Sequence, residues 1–431
     1  MEPPALLRSL RHRNYRLFFS GQLISLIGTW MDTVAEAWLV YRLSHSPLLL
    51  GVAAFASQIP VFLLAPLGGV LADRYDRRKI LLWTQALSGI QAMILAILTL
   101  THVVTIWHVI ILAAGLGIVN AIDMPTRQAF VVDMVSRDDL MNAIALNSSM
   151  FNGARVVGPA VAGLVVAAIG EGWCFFANAV SYLAVITGLV MMKMERRQRH
   201  SQMPSALSQI KEGFRFVAGE KAVRALLILL GVVSLFGMSY SVLMPVFADQ
   251  ILKAGPRGLG LLMGCAGVGA LAGAVSLALK REVKGLGRWI MLGASGFGVA
   301  LILFSQSRMV WLSCVVLLCA GYALMVQMSS SNTLIQSMVP DRLRGRVMAI
   351  YAATFMGMAP LGALLSGTLA QHISAPMAVA LGGVACIAAG AAFGMALPRI
   401  RPHARRLIVA QQAEAAAPTQ QITGGTVVGD T

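Results

Sequence analysis

The sequence predicts an all-α integral membrane protein, with twelve transmembrane helices in two six-helix pseudo-repeats, on three observations. First, 57% of the 431 residues are hydrophobic and only 12% are charged, with a mean hydropathy of +0.75. A soluble domain of this length does not tolerate so little charge. Second, apolar runs long enough to cross a bilayer recur down the chain. Third, the cations are confined to the gaps between those runs on one expected side. Of the 34 Lys and Arg, only Arg42, Lys253, Arg257 and Arg308 fall in loops on the other side, and only Arg155 lies well inside an apolar run. That distribution is the positive-inside rule, with both termini in the cytoplasm. It also removes the nucleic-acid reading that a net charge of +16 would invite.

In order, the apolar runs cover 17–41, 48–72, 80–101, 104–124, 140–168 and 173–193, then 222–248, 258–280, 288–305, 309–334, 346–370 and 375–398. They divide the chain into a cytoplasmic N-terminus (1–16), a first bundle (17–193), a linker (194–221), a second bundle (222–398) and a cytoplasmic tail (399–431). Met1–Arg16 is polar and the first run is too long for a signal-peptide core, so no cleavable leader is expected. In the linker, Leu207, Ile210, Phe214 and Val217 recur at three- and four-residue spacing. They predict an amphipathic helix on the membrane surface, with Lys211 and Arg215 towards headgroups. The tail, rich in Ala, Gln, Thr and Gly, is expected to be disordered.

The halves repeat. At an offset of 204, Met134-Val135 falls on Met338-Val339, Gly158 on Gly362, Gly163 on Gly367 and Asp123 on Gln327. Two six-helix repeats around a midplane site are how transporters build alternating access. Glycines at 153, 158 and 163, at 264–273, and at 357, 362 and 367 let helices approach closely. Static packing and sliding surfaces are both consistent with them.

The topology is anchored by Gly69-Val-Leu-Ala-Asp73-Arg74-Tyr-Asp76-Arg77-Arg78-Lys79, with six ionised side chains in eleven residues between two apolar runs. This knot resembles the signature loop of the major facilitator superfamily, Gly-x-x-x-Asp-Arg-x-Gly-Arg-Arg/Lys, with Asp76 at the usual glycine. Asp123-Met-Pro125, Asn142-Ala143, Gly158-Pro159, Gly163 and the Pro340–Arg346 loop extend the resemblance over nearly the whole chain. The set is similar to the bacterial branch containing the enterobactin exporter and macrolide efflux proteins. The resemblance implies a secondary transporter of the bacterial inner membrane. Gly158, Pro159 and Gly163 resemble a motif associated with antiporters, which favours export. It also implies a cytoplasmic lock made of Gly69, Asp73, Arg74, Arg77, Arg78 and Asp133. There Asp73 caps a helix N-terminus of the other half when the cytoplasmic side is closed, and Arg77 pairs with Asp133. The alternative is that these charges only set topology. At Asp76 the substitution costs a turn glycine, and Asp tolerates left-handed geometry well enough to keep the loop intact.

Candidate mechanistic residues concentrate in the first half. Gln22, Ser25, Thr29, Asp32 and Glu36 share one face of the first helix. Such a stripe lines a cavity or packs on other polar helices. Asp32 and Glu36 are one turn apart, which suits proton coupling or substrate contact; the alternative is a pair of structural acids. Asn120, Asp123 and Arg127 share a face of the fourth helix, and Asp123 and Arg127 are spaced to pair as a gate or structural ion pair. Pro125 between them is expected to kink the helix. Arg155 needs an anion, with Asp32, Glu36 and Asp123 as candidates, and a structural pair is preferred to a ligand contact. In the second half the polar groups are neutral: Ser234, Tyr240, Gln327, Ser331 and Asn332, with Met238, Met244, Met325 and Met328 as adaptable apolar contacts.

No phosphate-binding Gly-x-x-x-x-Gly-Lys-Ser/Thr loop, His-Glu-x-x-His pair or Gly-x-Ser-x-Gly elbow occurs. The five cysteines lack paired-ligand spacing and read as packing residues. The expectation is therefore a monomeric, non-enzymatic transporter in contact with lipid, with a small-molecule substrate and no ATP, nucleic acid, metal or bound cofactor. A proton gradient supplies the energy for exporting an amphipathic drug- or siderophore-like solute. An importer or uniporter on the same fold, and a non-transporting sensor or assembly protein, are the rival readings.

Overall fold

The computed structural model describes residues 5–193, 206–279 and 285–416. The 194–205 part of the linker, Lys280, Arg281, Lys284 and the tail beyond Ala416 lie outside the described residues. The first bundle comprises α1 (Arg13–Ser44), α2 (Pro47–Arg74), α3 (Arg77–Leu100), α4 (Ile106–Met134), α5 (Leu140–Ile169) and α6 (Glu171–Met191). A linker helix α7 (Ala206–Gly219) leads to the second: α8 (Lys221–Val232), α9 (Met244–Val246), α10 (Gly255–Ala278), α11 (Leu286–Gln306), α12 (Val310–Met338), α13 (Asp341–His372) and α14 (Ala375–Ala416). Among the described residues no strand occurs, and eleven helices are long and apolar enough to cross a membrane.

The twelfth passage is the seventh in order, and it is broken. After α8 the chain turns through π-helical 233–237 and 3-10 238–241, then passes α9 and a second π-helical turn at 247–251. The sequence predicted one helix over 222–248, because hydropathy registers composition and not hydrogen bonding. Pro245 has no N–H to bond back along the helix. Gly237 lies where a Cβ would come 2.6 Å from the Phe297 ring and 2.8 Å from Cys386 Sγ. The Ser234 hydroxyl donates to the Phe355 carbonyl of α13 at 2.8 Å. Packing against α11, α13 and α14 thus replaces the regular ladder.

The 204-residue offset is realised in the backbone: α4 and α12 are both 29-residue helices whose first and last residues are related by it. The halves meet through two equivalent crossings, α2 on α13 and α5 on α10. A Cβ at Gly51 would lie 2.6 Å from the Ala363 carbonyl oxygen, and one at Gly260 would lie 2.4 Å from that of Pro159. Gly367 and Gly163 face them, with would-be Cβ atoms 3.0 Å from the Cα atoms of Gly51 and Gly260. The Ser46 hydroxyl donates to Gln371 Oε1 at 2.9 Å beside the first crossing. Both crossings sit at the end of the bundle away from the termini. Other glycines of the same stripes serve packing inside one half, as Gly269 does against the Leu318 carbonyl.

Two segments make contacts that the sequence did not specify, and a third, the tail, departs from expectation. Helix α7 forms and is docked on α13. Glu212 accepts from Arg342 at 2.8 Å and from Arg346, Gly213 abuts Arg346 and Ile350, and Val217 is buried. Lys211, Phe214 and Arg215 stay exposed, while the side chains of Leu207 and Ile210 lie outside the described set. The tail is not disordered from residue 399. Helix α14 runs on to Ala416, with Ile400, Leu407 and Ile408 packed on the core and Gln411 donating to the Val339 carbonyl. At the other terminus a 3-10 turn (Ala5–Arg11) is pinned to the start of α5. Arg8, Arg11 and His12 converge on the fully buried Asp139, with His12 Nε2 at 2.7 Å, and the Ser9 amide donates to Asn142 Oδ1 at 2.9 Å.

Candidate functional site

The polar stripe of α1 divides. Gln22, Ser25 and Asp32 are buried, while Thr29 and Glu36 are partly exposed. The cause is Gly28, which admits α6 so closely that a Cβ there would lie 2.8 Å from both Asn178 Oδ1 and Ser181 Oγ. The buried part therefore packs on the polar face of α6, and only Thr29 and Glu36 retain access to open space. Asp32 Oδ1 is buried with no hydrogen-bond partner among the described residues. A buried carboxyl oxygen without a donor costs free energy that a purely structural acid would avoid.

Asp123 is the opposite case. Its Oδ1 accepts from Thr84 Oγ1 at 2.7 Å and Gln85 Nε2 at 2.8 Å, and its Oδ2 pairs with Arg127 at 3.0 Å. Pro125 lies between them inside an unbroken α4. With Oδ1 held by α3 and Oδ2 by Arg127 of its own helix, Asp123 has the surroundings of a structural ion pair. Gln327, its counterpart, packs against Gly293 of α11, and its Nε2 donates to Ser331 Oγ at 3.4 Å. That direction is into its own half, not towards the boundary where a substrate contact was expected.

The charged loop is organised around Arg77. It donates to the Ala72 carbonyl at 3.1 Å and the Ala129 carbonyl at 3.0 Å, pairs with Asp133 at 3.0 Å, and approaches Asp73 at 3.4 Å. Arg78 donates to the Leu189 and Val190 carbonyls at the end of α6, at 2.7 and 2.8 Å. Arg74 is exposed. Asp73 therefore engages its own loop rather than a helix of the other half, and a Cβ at Gly69 would meet nothing within 4 Å. Asp76 does not adopt the left-handed geometry expected of it. Its φ of −67° is ordinary, not left-handed, and its side chain N-caps α3 by accepting from the Arg78 and Lys79 amides at 2.9 and 3.3 Å. Asp is there because the helix begins there.

Arg155 overturns the search for a carboxylate. Among the described residues it forms no ion pair; its guanidinium lies over the Trp30 ring, 5.8 Å from the centroid. Phe151 meets the same ring edge-on at 5.8 Å. Gly158 brings α1 this close, since a Cβ there would fall 2.4 Å from Trp30 Cβ. From the second half, α10 abuts the Arg155 carbonyl at Gly267, while the buried Tyr240 sets its ring edge-on to Phe297 of α11. Arg155, Trp30 and Phe151 are thus brought together beside the boundary, whereas Asp123, Arg127 and Gln327 are not. Sequence reasoning missed Trp30 and Phe151 because aromatic residues in apolar runs carry no distinguishing signal. It missed Glu212 and Asp139 because their partners lie about 130 residues away.

Comparison with known proteins bears on this arrangement. Residues 5–421 match the profile of a family described as transmembrane secretion effector. The chain is 26% identical over 377 residues to the staphyloferrin A transporter of Staphylococcus aureus, spanning 86% of this chain and 93% of that one. It is 24% identical over 391 residues to the enterobactin exporter EntS of Escherichia coli, spanning 90% and 93%. Among solved structures, a bacterial homologue of the human lysosomal transporter Spinster, inward-facing and unoccupied, superposes with a TM-score of 0.68 at 14% identity over 93% of this chain and 98% of that one. The nucleoside transporter NupG gives 0.70 at 12% identity, over 90% and 98%.

Proposed function

Because the chain belongs to the transmembrane secretion effector family of major facilitator transporters, we propose that it exports a siderophore-like, amphipathic small molecule from a bacterial cytoplasm. Export proceeds by alternating access across the inner membrane, in exchange for protons. The observation that carries the reading is the one-sided contact between halves. The end away from the termini is sealed by the Gly51–Gly367 and Gly163–Gly260 crossings, while Asp73 at the other end is turned onto Arg77. With the loop cations in the cytoplasm, as positive-inside topology requires, this is the inward-open partner of an alternating pair. The Asp73–Arg77–Asp133 group is then the lock that re-engages on outward opening. The relatives named for staphyloferrin A and enterobactin support the substrate class.

For coupling, Asp32 offers a buried carboxyl oxygen without a donor, and Glu36, one turn along the same face, is partly exposed. Ionisable groups inside membrane spans belong to ion and substrate pathways, and this pair links a buried site to open space. The proton gradient would be the energy source, with no nucleotide or bound cofactor, and the transporter would act as a monomer with both termini cytoplasmic. The test is proton movement in inside-out vesicles carrying a pH gradient, with enterobactin and staphyloferrin A added beside a panel of dyes and antibiotics. A siderophore should dissipate the gradient with wild-type protein and not with Asp32→Asn/Glu36→Gln. Equal dissipation by both proteins would remove the two acids from coupling. Siderophore flux without proton movement would make the protein a uniporter.

A further inference from the structure

Resting on the transporter reading above, we propose that Arg155, framed by Trp30 and Phe151, is the anion-recognising residue of the transport site. The transported molecule then carries an acidic group beside an aromatic or apolar body.

Arg155 is midway along α5, and a cation at that depth is costly unless it has a counter-charge or a ligand. Each carboxylate that a sequence reading would offer it is accounted for elsewhere. Asp123 is saturated by Thr84, Gln85 and Arg127. Asp32 is two residues beyond Trp30, hence about 200° around α1 from the face that meets Arg155, and it is buried beside α6. Glu36 is about 120° away from Trp30 by the same geometry. What faces the guanidinium is aromatic: Trp30 lies beneath it, and Phe151, one turn before it on α5, packs on the same ring.

A ring satisfies only the face of a guanidinium. Stacking on Trp30 leaves the edge of the fork, with its N–H donors, for a planar anion, and two parallel bonds to a carboxylate or phenolate pair are the interaction this edge is shaped for. The ring holds the cation beside the boundary before ligand arrives. The aromatic walls supply a surface for the rest of the molecule. Position matters as well: α10 touches the Arg155 carbonyl at Gly267, and the sealed Gly163–Gly260 crossing lies two turns further along α5. Arg155 is therefore at the inner limit of the contact between halves, where a ligand that entered from the unsealed end would stop.

The test measures binding of 1-pyrenebutyrate and its neutral amide to purified protein in nanodiscs by calorimetric titration, with empty nanodiscs subtracted. Wild type should bind the acid at least about tenfold more tightly than the amide. Arg155→Gln should bring the two affinities together by weakening the acid alone, and Arg155→Lys should keep a reduced preference, since it supplies charge without the fork. Trp30→Leu should weaken both probes. Equal affinity for acid and amide in wild type, no binding of the acid, or a preference that survives in Arg155→Gln overturns the proposal. Thermal unfolding of each variant separates a lost site from a lost fold, and Arg155→Lys carries the test if the Gln variant does not fold. Acid preference without siderophore transport would defeat the functional reading and leave this one standing. Siderophore transport without acid preference would do the reverse.

Discussion

Adding one methyl group to Gly260 should move the conformational equilibrium without touching any polar residue. A Cβ at this position would lie 2.4 Å from the Pro159 carbonyl oxygen, 2.8 Å from the Gly163 Cα and 2.9 Å from its amide nitrogen. All three are backbone atoms, so no rotamer change relieves the clash; α5 and α10 must separate. Overpacking of this kind costs about 1–3 kcal/mol. The whole of that cost falls on the state in which the crossing is closed, because helices that have moved apart accommodate a methyl freely. The ratio of sealed to unsealed forms should therefore fall by roughly 5- to 150-fold. The readout belongs on the opposite, symmetry-related crossing, where Ser46 and Gln371 are hydrogen-bonded at 2.9 Å. In a background without the five native cysteines, Ser46→Cys/Gln371→Cys should be bridged rapidly by a short bifunctional thiol reagent, and Gly260→Ala should slow that bridging. Gly153→Ala is the control, since a Cβ there meets nothing within 4 Å, and it should leave the bridging rate unchanged. Unaltered bridging in a folded Gly260→Ala protein would show that the crossings do not move together, and the alternating-access argument built on them would fail.

Three further outcomes follow from the same geometry. Asp76→Ala removes the N-cap of α3 and should lower stability by about 1 kcal/mol, whereas Asp76→Gly should cost only a few tenths; thermal unfolding of the purified variants separates the two. Arg77→Gln and Asp133→Asn should be non-additive in the same measurement, with a coupling of about 0.5–3 kcal/mol for a pair whose partners are both mostly buried. Glu212→Gln weakens the hold of α7 on Arg342 and Arg346, an exposed contact of about 1 kcal/mol or less, so amide exchange over 206–219 should speed up by no more than about fivefold.

Much of the architecture was legible because membrane spans announce themselves by composition. The apolar runs place α1 to α3, α5, α6 and α10 to α13 to within five residues but stop ten residues short of the end of α4, and Met134-Val135 against Met338-Val339 already carries the offset that relates α4 to α12. The seventh passage was not legible: its break depends on Pro245 and on where Gly237 meets Phe297 and Cys386, and neither changes hydropathy. The site was legible as a set of residue types and not as contacts. Spacing put Asp32 and Glu36 on one face of α1, but it could not say that Gly28 draws α6 over the buried part of that face. It named three carboxylates for Arg155 without the helix rotation that points Trp30 at it instead. Asp76 shows the same limit in small, since a motif registers a missing glycine while the capping bond exists only once α3 has its register.

The repeat also shows how one half came to hold the ionised groups. At the 204-residue offset, Asp123 and Arg127 fall on Gln327 and Ser331, and the two pairs make the same one-turn contact, ionic at 3.0 Å in the first half and neutral at 3.4 Å in the second. Arg155 falls on Ala359. Helix packing tolerates either version because the contact, not the charge, holds the turn together. Charge at midspan is therefore free to be placed by function, and here it is placed on one side of the boundary. A ligand anion held by Arg155 has its ionised end fixed to the first half, leaving its apolar body to the second half, whose α10 meets α5 at Arg155. As the halves rock, such a ligand keeps its polar contact throughout and exchanges only its apolar one. An apolar contact is non-directional and survives repacking, so the broken, irregular passage belongs on that side.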